Sequence, residues 1–120
     1  MYAIKNNVQL IGRLMERPEV KEARDGKKTA RFSILVEDSY CNGKGLYTKE
    51  VQRHGLVAHG KIAALAEKYL DKGTVVAIGG RLVNRHFDDS RGERRFVTEI
   101  LVNELLILDM HMQEQEEYYE

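Results

Sequence analysis

A single stretch with helical spacing, set among segments that alternate, is what most constrains the fold of this chain. Within residues 61–70, four side chains recur on one helix face: Ile62, Leu65, Ala66 and Tyr69. That spacing predicts a short helix with one face packed inward. Residues 30–37 instead place apolar side chains at every second position, which is the period of a half-buried strand. The chain is therefore predicted to be mainly β, with one helix.

Further strand segments precede and follow the predicted helix. The five segments are residues 4–14, 30–37, 46–59, 75–82 and 96–108. Turn and breaker signals separate them: Pro18, Asp25-Gly26, Asn42-Gly43-Lys44-Gly45, Gly73 and Asp88-Asp89-Ser90-Arg91-Gly92. Three strands, a helix and two strands is the order of the OB-fold, a five-stranded Greek-key barrel that binds oligonucleotides. Other small barrels would show the same order, so the order alone leaves the fold open.

Length and charge indicate one small domain with an acidic end. The 120 residues suit a single domain, which we place at 1–110, followed by a flexible tail at 111–120. The formal net charge is zero, but residues 113–120 hold four of the 19 acidic residues and no basic one. Residues 1–112 therefore hold 19 basic against 15 acidic residues, a mild asymmetry that hints at polyanion binding.

Several classes of protein are disfavoured by what the chain lacks. Cys41 is the only cysteine, and no apolar run is long enough for a secretory signal or a membrane span. The sequence thus predicts a cytoplasmic protein. His54 and His59 are predicted to point to opposite faces of a strand, and there is no P-loop or carboxylate pair. We therefore expect no enzyme activity, no metal site and no cofactor.

Strand parity places cations and flat rings on shared faces. In the third strand the same parity holds Tyr47, Lys49, Arg53 and His59, and in the fourth it holds Arg81, Arg85 and Phe87. A surface that grips unpaired nucleic acid requires rings that stack on bases and cations that follow the phosphates. Valines share the same parities (Val51, Val57 and Val83), so the faces are not purely polar. Tyr47, despite its parity, is interpreted as structural, and the rings on core faces are assigned to packing: Phe32, Tyr69 and Phe96.

Ordered blocks of residues along 4–108 also carry a family resemblance. The blocks are Asn7 to Leu14, Pro18-Glu19-Val20, Ala30-Arg31-Phe32-Ser33, His54, Val57, Gly60-Lys61, Ala63, Ala66, Tyr69-Leu70, Lys72-Gly73, Gly80-Arg81-Leu82, Arg85 and Thr98-Glu99. Together they resemble the bacterial single-stranded DNA-binding protein (SSB) family. The resemblance implies an OB-fold that assembles as a homotetramer with DNA wrapped around it, associated with the bacterial nucleoid.

The resemblance also implies roles for individual positions. Those implied to stack on bases are Tyr40, Arg53, His59 and Phe87. The family often has tryptophan there, whereas this chain has none, so stacking is expected to be weaker and binding to depend steeply on salt. His54 matches a position at or near the tetramer interface, and Gly55 stands where a basic residue is common in the family.

The phosphate path is predicted to draw on basic residues of the strands and the helix. The candidates are Lys5, Arg13, Lys21, Arg31, Lys49, Lys61, Lys72, Arg81, Arg85, Arg94 and Arg95, of which Arg81, Arg85 and Arg94 are preferred. The main hypothesis is a non-catalytic protein that coats and protects single-stranded DNA in replication, repair or recombination. The alternatives are a dimeric protein-docking module resembling the primosomal replication protein, and an RNA-binding OB module.

The end of the chain departs most from the family. Members usually continue through a glycine- and glutamine-rich linker to an acidic tip that recruits replication and repair proteins. Here the acidic residues and tyrosines of 114–120 follow soon after the predicted barrel. We interpret them as a solvated terminus, with a reduced recruiting tip as the alternative.

Overall fold

The computed structural model describes residues 5–109, which form six strands and one helix. In chain order they are β1 (Val8–Leu14), β2 (Glu19–Glu22), β3 (Lys28–Cys41), β4 (Tyr47–His59), α1 (Gly60–Tyr69), β5 (Val75–Asp88) and β6 (Arg94–Asp109). The predicted boundary at residue 110 and the predicted tail lie outside the described residues. No helix within the described range is long and apolar enough to cross a membrane.

Five of the strands close into a barrel. β1 pairs antiparallel with both β3 and β5, and β5 continues to β6. β6 then runs parallel to β4, and β4 pairs with β3, which completes the circle. This closed barrel, with one helix between β4 and β5, is the OB-fold, so the predicted fold is confirmed.

β2 is the strand that the sequence did not predict. It begins directly after Pro18 and pairs with the start of β3, where Glu19 lies opposite Arg31 and Glu22 opposite Lys28. Four residues are too few for an alternation to be recognised. Pro18 was interpreted as an interruption, and it does precede the strand without belonging to it.

The core lies inside the barrel and under the helix. Its largest fully buried side chains are Leu14, Ile34, Leu56 and Val76. α1 places the buried methyl groups of Ala63 and Ala66 against this cluster. The predicted inward face is therefore right for Ala66 and the partly buried Ile62, but wrong for Leu65 and Tyr69, which are exposed. Gly73 follows the helix with φ of 91° and donates its N–H to the carbonyl oxygen of Leu14, which ties the chain back to the barrel.

Two hairpins run well past the barrel as exposed arms. β3 was predicted to end at residue 37 and β5 at residue 82, but they end at Cys41 and Asp88. The ends of both arms are exposed on both faces, so the apolar alternation that marks a half-buried strand is absent there.

The arms overturn part of the packing assignment. Phe32 is buried in the core as predicted, but the side chain of Phe96 is 72% exposed. Its parity is that of the core face, yet β6 at this point lies beyond the barrel. Tyr69, on α1, is 43% exposed and Tyr47 is 84% exposed, so these two rings are not core residues either.

Side-chain carboxylate and amide groups shape the tips of the arms. Asn42 Oδ1 accepts hydrogen bonds from the backbone N–H groups of Lys44 and Leu46, which confirms the predicted loop. Asp89 plays the same part at the other tip for the N–H groups of Arg91 and Glu93. Each side chain thus fixes a turn that carries a hairpin into solvent.

Candidate nucleic-acid interface

The candidate interface is the side of β3, β4, β6 and β5 that points away from the core, which we call the outer face. Strand partners in register lie on the same face of a sheet. Arg31 lies opposite Val57, Val57 beside Leu101, and Leu101 opposite Arg81. One row across the outer face therefore has an arginine at each end and an apolar strip between them.

β4 presents its odd-numbered residues on the outer face. Leu56 and Ala58 are buried in the core, so the alternate positions point outward. These include the set that parity predicted to share a side, namely Tyr47, Lys49, Arg53 and His59. Val57 shares this side and is buried between its neighbours in the row.

Arg53 and His59 are both held by hydroxyl groups on β3. Arg53 Nη2 donates to Ser33 Oγ at 3.3 Å, which leaves most of its guanidinium edge available. His59 Nδ1 lies 3.1 Å from Thr29 Oγ1, and His59 is exposed where β4 passes into α1. Both planar side chains are thus oriented without being covered.

β5 adds a ring and further cations to the outer face. Phe87 lies opposite Arg95, and the residue is 44% exposed. Arg85 Cζ lies 5.5 Å from the centroid of the Phe87 ring, within the range of a cation–π contact. Phe87, Arg85 and Arg81 lie at alternate positions of one strand, which is the shared side that the sequence predicted.

A carboxylate at the centre of the outer face ties two of the arginines together. Arg31 Nη1 donates to both oxygens of Glu99, at 2.9 and 2.7 Å, and Arg85 Nε donates to Oε1 at 2.9 Å. The Glu99 side chain is 12% exposed. Burial by itself raises the pKa of Glu99, but the hydrogen bonds from Arg85 and Arg31 outweigh it, so the pKa is lowered and the carboxylate stays charged.

Tyr40 and Arg94 lie on the two arms but off the outer face. Tyr40 is 48% exposed near the end of the β3–β4 arm, opposite Thr48, on the face that continues the core side. Arg94 lies opposite Asp88 on the corresponding side of the β5–β6 arm. Tyr40 is therefore separated from Arg53 and His59 by the thickness of a hairpin.

The remaining predicted cations are spread around the barrel. On the outer face, Lys49 Nζ lies 3.6 Å from Glu37 Oε2, and Arg95 Nε donates to Asp89 Oδ2 at 2.8 Å. Arg13 Nη1 donates to the carbonyl oxygen of Gly73. The others lie on separate segments, before β1, on β2, on α1 and after α1: Lys5, Lys21, Lys61 and Lys72.

His54 was predicted at an oligomer interface. It lies opposite Ile34, on the core side of β4, and is half-buried. Its neighbour Gly55 is on the outer face, where a Cβ would meet nothing within 4 Å. The basic side chain expected there from the family would thus have open space.

Two features of the site were missed by sequence reasoning. The first is Glu99, which was recognised only as part of the Thr98-Glu99 block of the family resemblance. Glu99 lies two positions after Val97, the strand partner of Arg85, so it points to the same face as Arg85. The second feature is an exposed pair of rings, His86 and Phe96, with centroids 6.0 Å apart. The assignment of Phe96 to the core concealed it.

The geometry defines a class of protein. An open sheet face on an OB-fold offers a ring, planar cations and apolar strips, with their ligand-facing edges in solvent. Such a surface suits stacking on unpaired bases and contact with phosphates. The chain is therefore an OB-fold domain with an open sheet face that carries rings and cations.

Comparison with known proteins identifies the family. Residues 5–108 match the model of the single-strand binding protein family, and the chain belongs to that family. It is 34% identical over 104 residues to single-stranded DNA-binding protein 1 of Chlorobaculum tepidum, covering 86% of this chain and 64% of that protein. Over 104 residues it is 30% identical to a Staphylococcus aureus protein of the same name, covering 87% of this chain and 65% of that protein. The chain thus spans slightly less than two thirds of these relatives.

Solved structures agree on the fold. A Plasmodium falciparum SSB in complex with single-stranded DNA superposes with a TM-score of 0.80 and 28% identity, covering 88% of this chain and 96% of that one. A single-stranded DNA-binding protein from Thermus aquaticus gives a TM-score of 0.78 at 22% identity, covering 89% of this chain and 52% of that one. The second likeness supports the barrel alone.

Proposed function

We propose that this chain binds single-stranded DNA without sequence specificity, and so coats and protects it during replication, repair or recombination. The observation that carries the proposal is the outer face, where Phe87, Arg85 and Arg81 follow one another on β5 and Arg53 lies on the same face of β4. The family match and the DNA named in the Plasmodium complex support the same ligand.

The chemistry of the outer face favours unpaired strands. A base must leave its stack before a ring such as Phe87 can lie on it, and a duplex keeps its bases stacked. Guanidinium groups held at one edge, as in Arg53 and Arg85, keep other donors for phosphate oxygens, which are the same in every sequence. Binding should therefore depend on exposed bases and not on which bases they are.

We also propose that the chain assembles as a homotetramer. β1 pairs with β3 only at Arg13 and Leu14, so the rest of that β1 edge has no strand partner within residues 5–109. Beside it lies a groove of about 750 Å³ whose lining includes Leu10, Ile11 and Leu106. Unpaired edges and exposed apolar side chains favour self-association. A molar mass near four times 13.8 kDa is expected, and half that mass would favour a dimer.

The remaining proposals follow from the same ligand. A protein that coats unpaired DNA in bacteria acts in the cytoplasm at the nucleoid, and its relatives here include bacterial proteins. Replication and repair proteins are proposed as partners only under the alternative interpretation of residues 114–120, in which they form a reduced recruiting tip and not a solvated terminus.

The test is a titration with end-labelled oligonucleotides. Oligo-dT, a matched oligo-U and a matched duplex are each titrated at two salt concentrations, with the label on the nucleic acid because the chain has no tryptophan. Tight, salt-sensitive binding to oligo-dT, with little binding to the duplex, is expected. Preference for oligo-U would instead indicate an RNA module, because only the 2′-hydroxyl and the thymine methyl group distinguish the two strands.

A matched pair of variants locates the site. Phe87→Ala removes a ring that is 44% exposed beside a cation, and it should weaken oligo-dT binding about tenfold. Tyr69→Ala removes a ring of nearly equal exposure, 43%, that lies 5.2 Å from Lys68 Nζ on the helix. The helix is off the outer face, so this variant should bind like the unaltered chain. Equal effects would contradict the location.

A further inference from the structure

The β5–β6 arm carries exposed rings on the side away from Phe87, which we call the reverse face. There His86 lies opposite Phe96, Asn84 opposite Thr98, and Asp88 opposite Arg94. The two rings are tilted by 54° with centroids 6.0 Å apart, and Phe96 is 72% exposed. No side chain of the barrel core covers them, so the pair forms an open aromatic surface on a projecting hairpin.

The free edge of β5 connects the two faces of the arm. His86 and Phe87 are consecutive, so their side chains point to opposite sides of the strand. β1 pairs with β5 only from Val75 to Gly80, so within residues 5–109 the edge beyond Leu82 has no strand partner. A strand passing over this edge would move from the ring of Phe87 directly to that of His86.

The same edge presents backbone donors. The side chain of Asn6 accepts a hydrogen bond from the N–H of Leu82 and donates one to its carbonyl oxygen, at 2.8 and 3.1 Å. The backbone groups of Leu82 therefore point outward, away from β6. Because these groups alternate in direction along a strand, the N–H groups of Asn84 and His86 point to the same edge. Backbone N–H groups commonly contact phosphates.

We propose that His86 and Phe96 form a second base-stacking site for the single strand that already occupies the outer face. The strand crosses the β5 edge, its phosphates meet the N–H groups of Asn84 and His86, and the following bases reach the ring pair. Arg94 supplies a cation at the end of the reverse face, beside Asp88. The inference rests on the proposed function, and its ligand is a continuation of the same strand because rings and donors follow one another along β5.

The experiment uses the full chain and oligo-dT of increasing length. Phe96→Ala should bind the shortest oligonucleotides like the unaltered chain, because these fill the outer face alone. On longer ones it should lose at least fivefold in affinity, whereas Phe96→Tyr should keep it. Phe87→Ala should weaken binding at every length. Because Phe96 is 72% exposed, Phe96→Ala and Phe96→Tyr should retain the melting temperature of the unaltered chain.

Each result separates the inference from the proposed function. If Phe96→Ala matches the unaltered chain at every length while Phe87→Ala is weakened, the second site is refuted and the proposed function stands. A loss for Phe96→Ala that is equal at all lengths also refutes it, because the ring pair would then belong to the first contact. If the unaltered chain does not bind oligo-dT at any length, the proposed function itself is refuted.

Discussion

Neutralising Glu99 should strengthen the binding of single-stranded DNA. The carboxylate accepts three hydrogen bonds from Arg31 and Arg85, so the three side chains together carry one net positive charge. Glu99→Gln keeps the shape and one acceptor oxygen but leaves two positive charges at the centre of the outer face. Phosphates would then no longer compete with a carboxylate for the two guanidinium groups.

The size of the effect follows from counterion release. Each additional phosphate neutralised on a single strand changes the slope of log K against log salt by about 0.7. Glu99→Gln should thus steepen the slope by about 0.7 for an oligonucleotide short enough to occupy one chain. Between 50 and 200 mM salt the variant would lose about 2.6-fold more affinity than the unaltered chain.

Glu104→Gln provides a control on the same strand. Glu104 is exposed near the other end of β6, beside the groove next to β1, and removing its charge changes the net charge of the chain by the same amount. Binding of labelled oligo-dT is measured at four or more salt concentrations for all three proteins. Equal slopes for Glu99→Gln and Glu104→Gln would show a general charge effect. Weaker binding by Glu99→Gln would refute the reasoning, because Glu99 would then be needed to hold the arginines.

Two predictions concern stability. A Cβ on Gly80 would lie 2.1 Å from the carbonyl oxygen of Leu101, so Gly80→Ala should destabilise the fold by about 3 kcal/mol. A Cβ on Gly55 would meet nothing within 4 Å, so Gly55→Ala should be neutral or slightly stabilising. Urea unfolding followed by circular dichroism compares the two, and equal midpoints would contradict the structure. The hydrogen bond from Arg95 lowers the pKa of Asp89, so the stabilisation that this carboxylate provides is present at neutral pH and is lost as pH falls below its ordinary pKa of 3.8. Asp89→Asn should therefore lose less thermal stability than the unaltered chain between pH 5 and about pH 2, measured by melting curves, and parallel losses would count against this role.

The barrel could be predicted from the sequence because its strands are half-buried. Burial of one face forces apolar residues into every second position, as in residues 30–37, and burial of a helix stripe places apolar residues three or four positions apart, as with Ile62 and Ala66. Where burial ends, the signal ends too. β3 and β5 therefore continue for several residues beyond the predicted limits, and the four-residue β2 left no recognisable alternation.

The outer face was predicted in part for the same reason. Parity is a local property, so it correctly grouped Arg53 with His59 and Arg85 with Phe87. It could not show that Glu99 would bind two of the predicted arginines, because Arg31 and Glu99 are brought together only by barrel closure. Parity also could not distinguish a core face from its exposed continuation, which is why Phe96 was misassigned.

The length of the arms is itself an argument for a ligand. Burial of apolar surface is the main favourable term in folding, and the end of a hairpin that is exposed on both faces contributes little of it. The tip of the β5–β6 arm nevertheless exposes Phe87 on one side and Phe96 on the other. Because these exposed rings add little to folding, we expect them to bind a ligand. A chain with a shortened β5–β6 hairpin that keeps a tight turn should thus still fold, losing little beyond the contribution of Asp89, and should lose oligonucleotide binding.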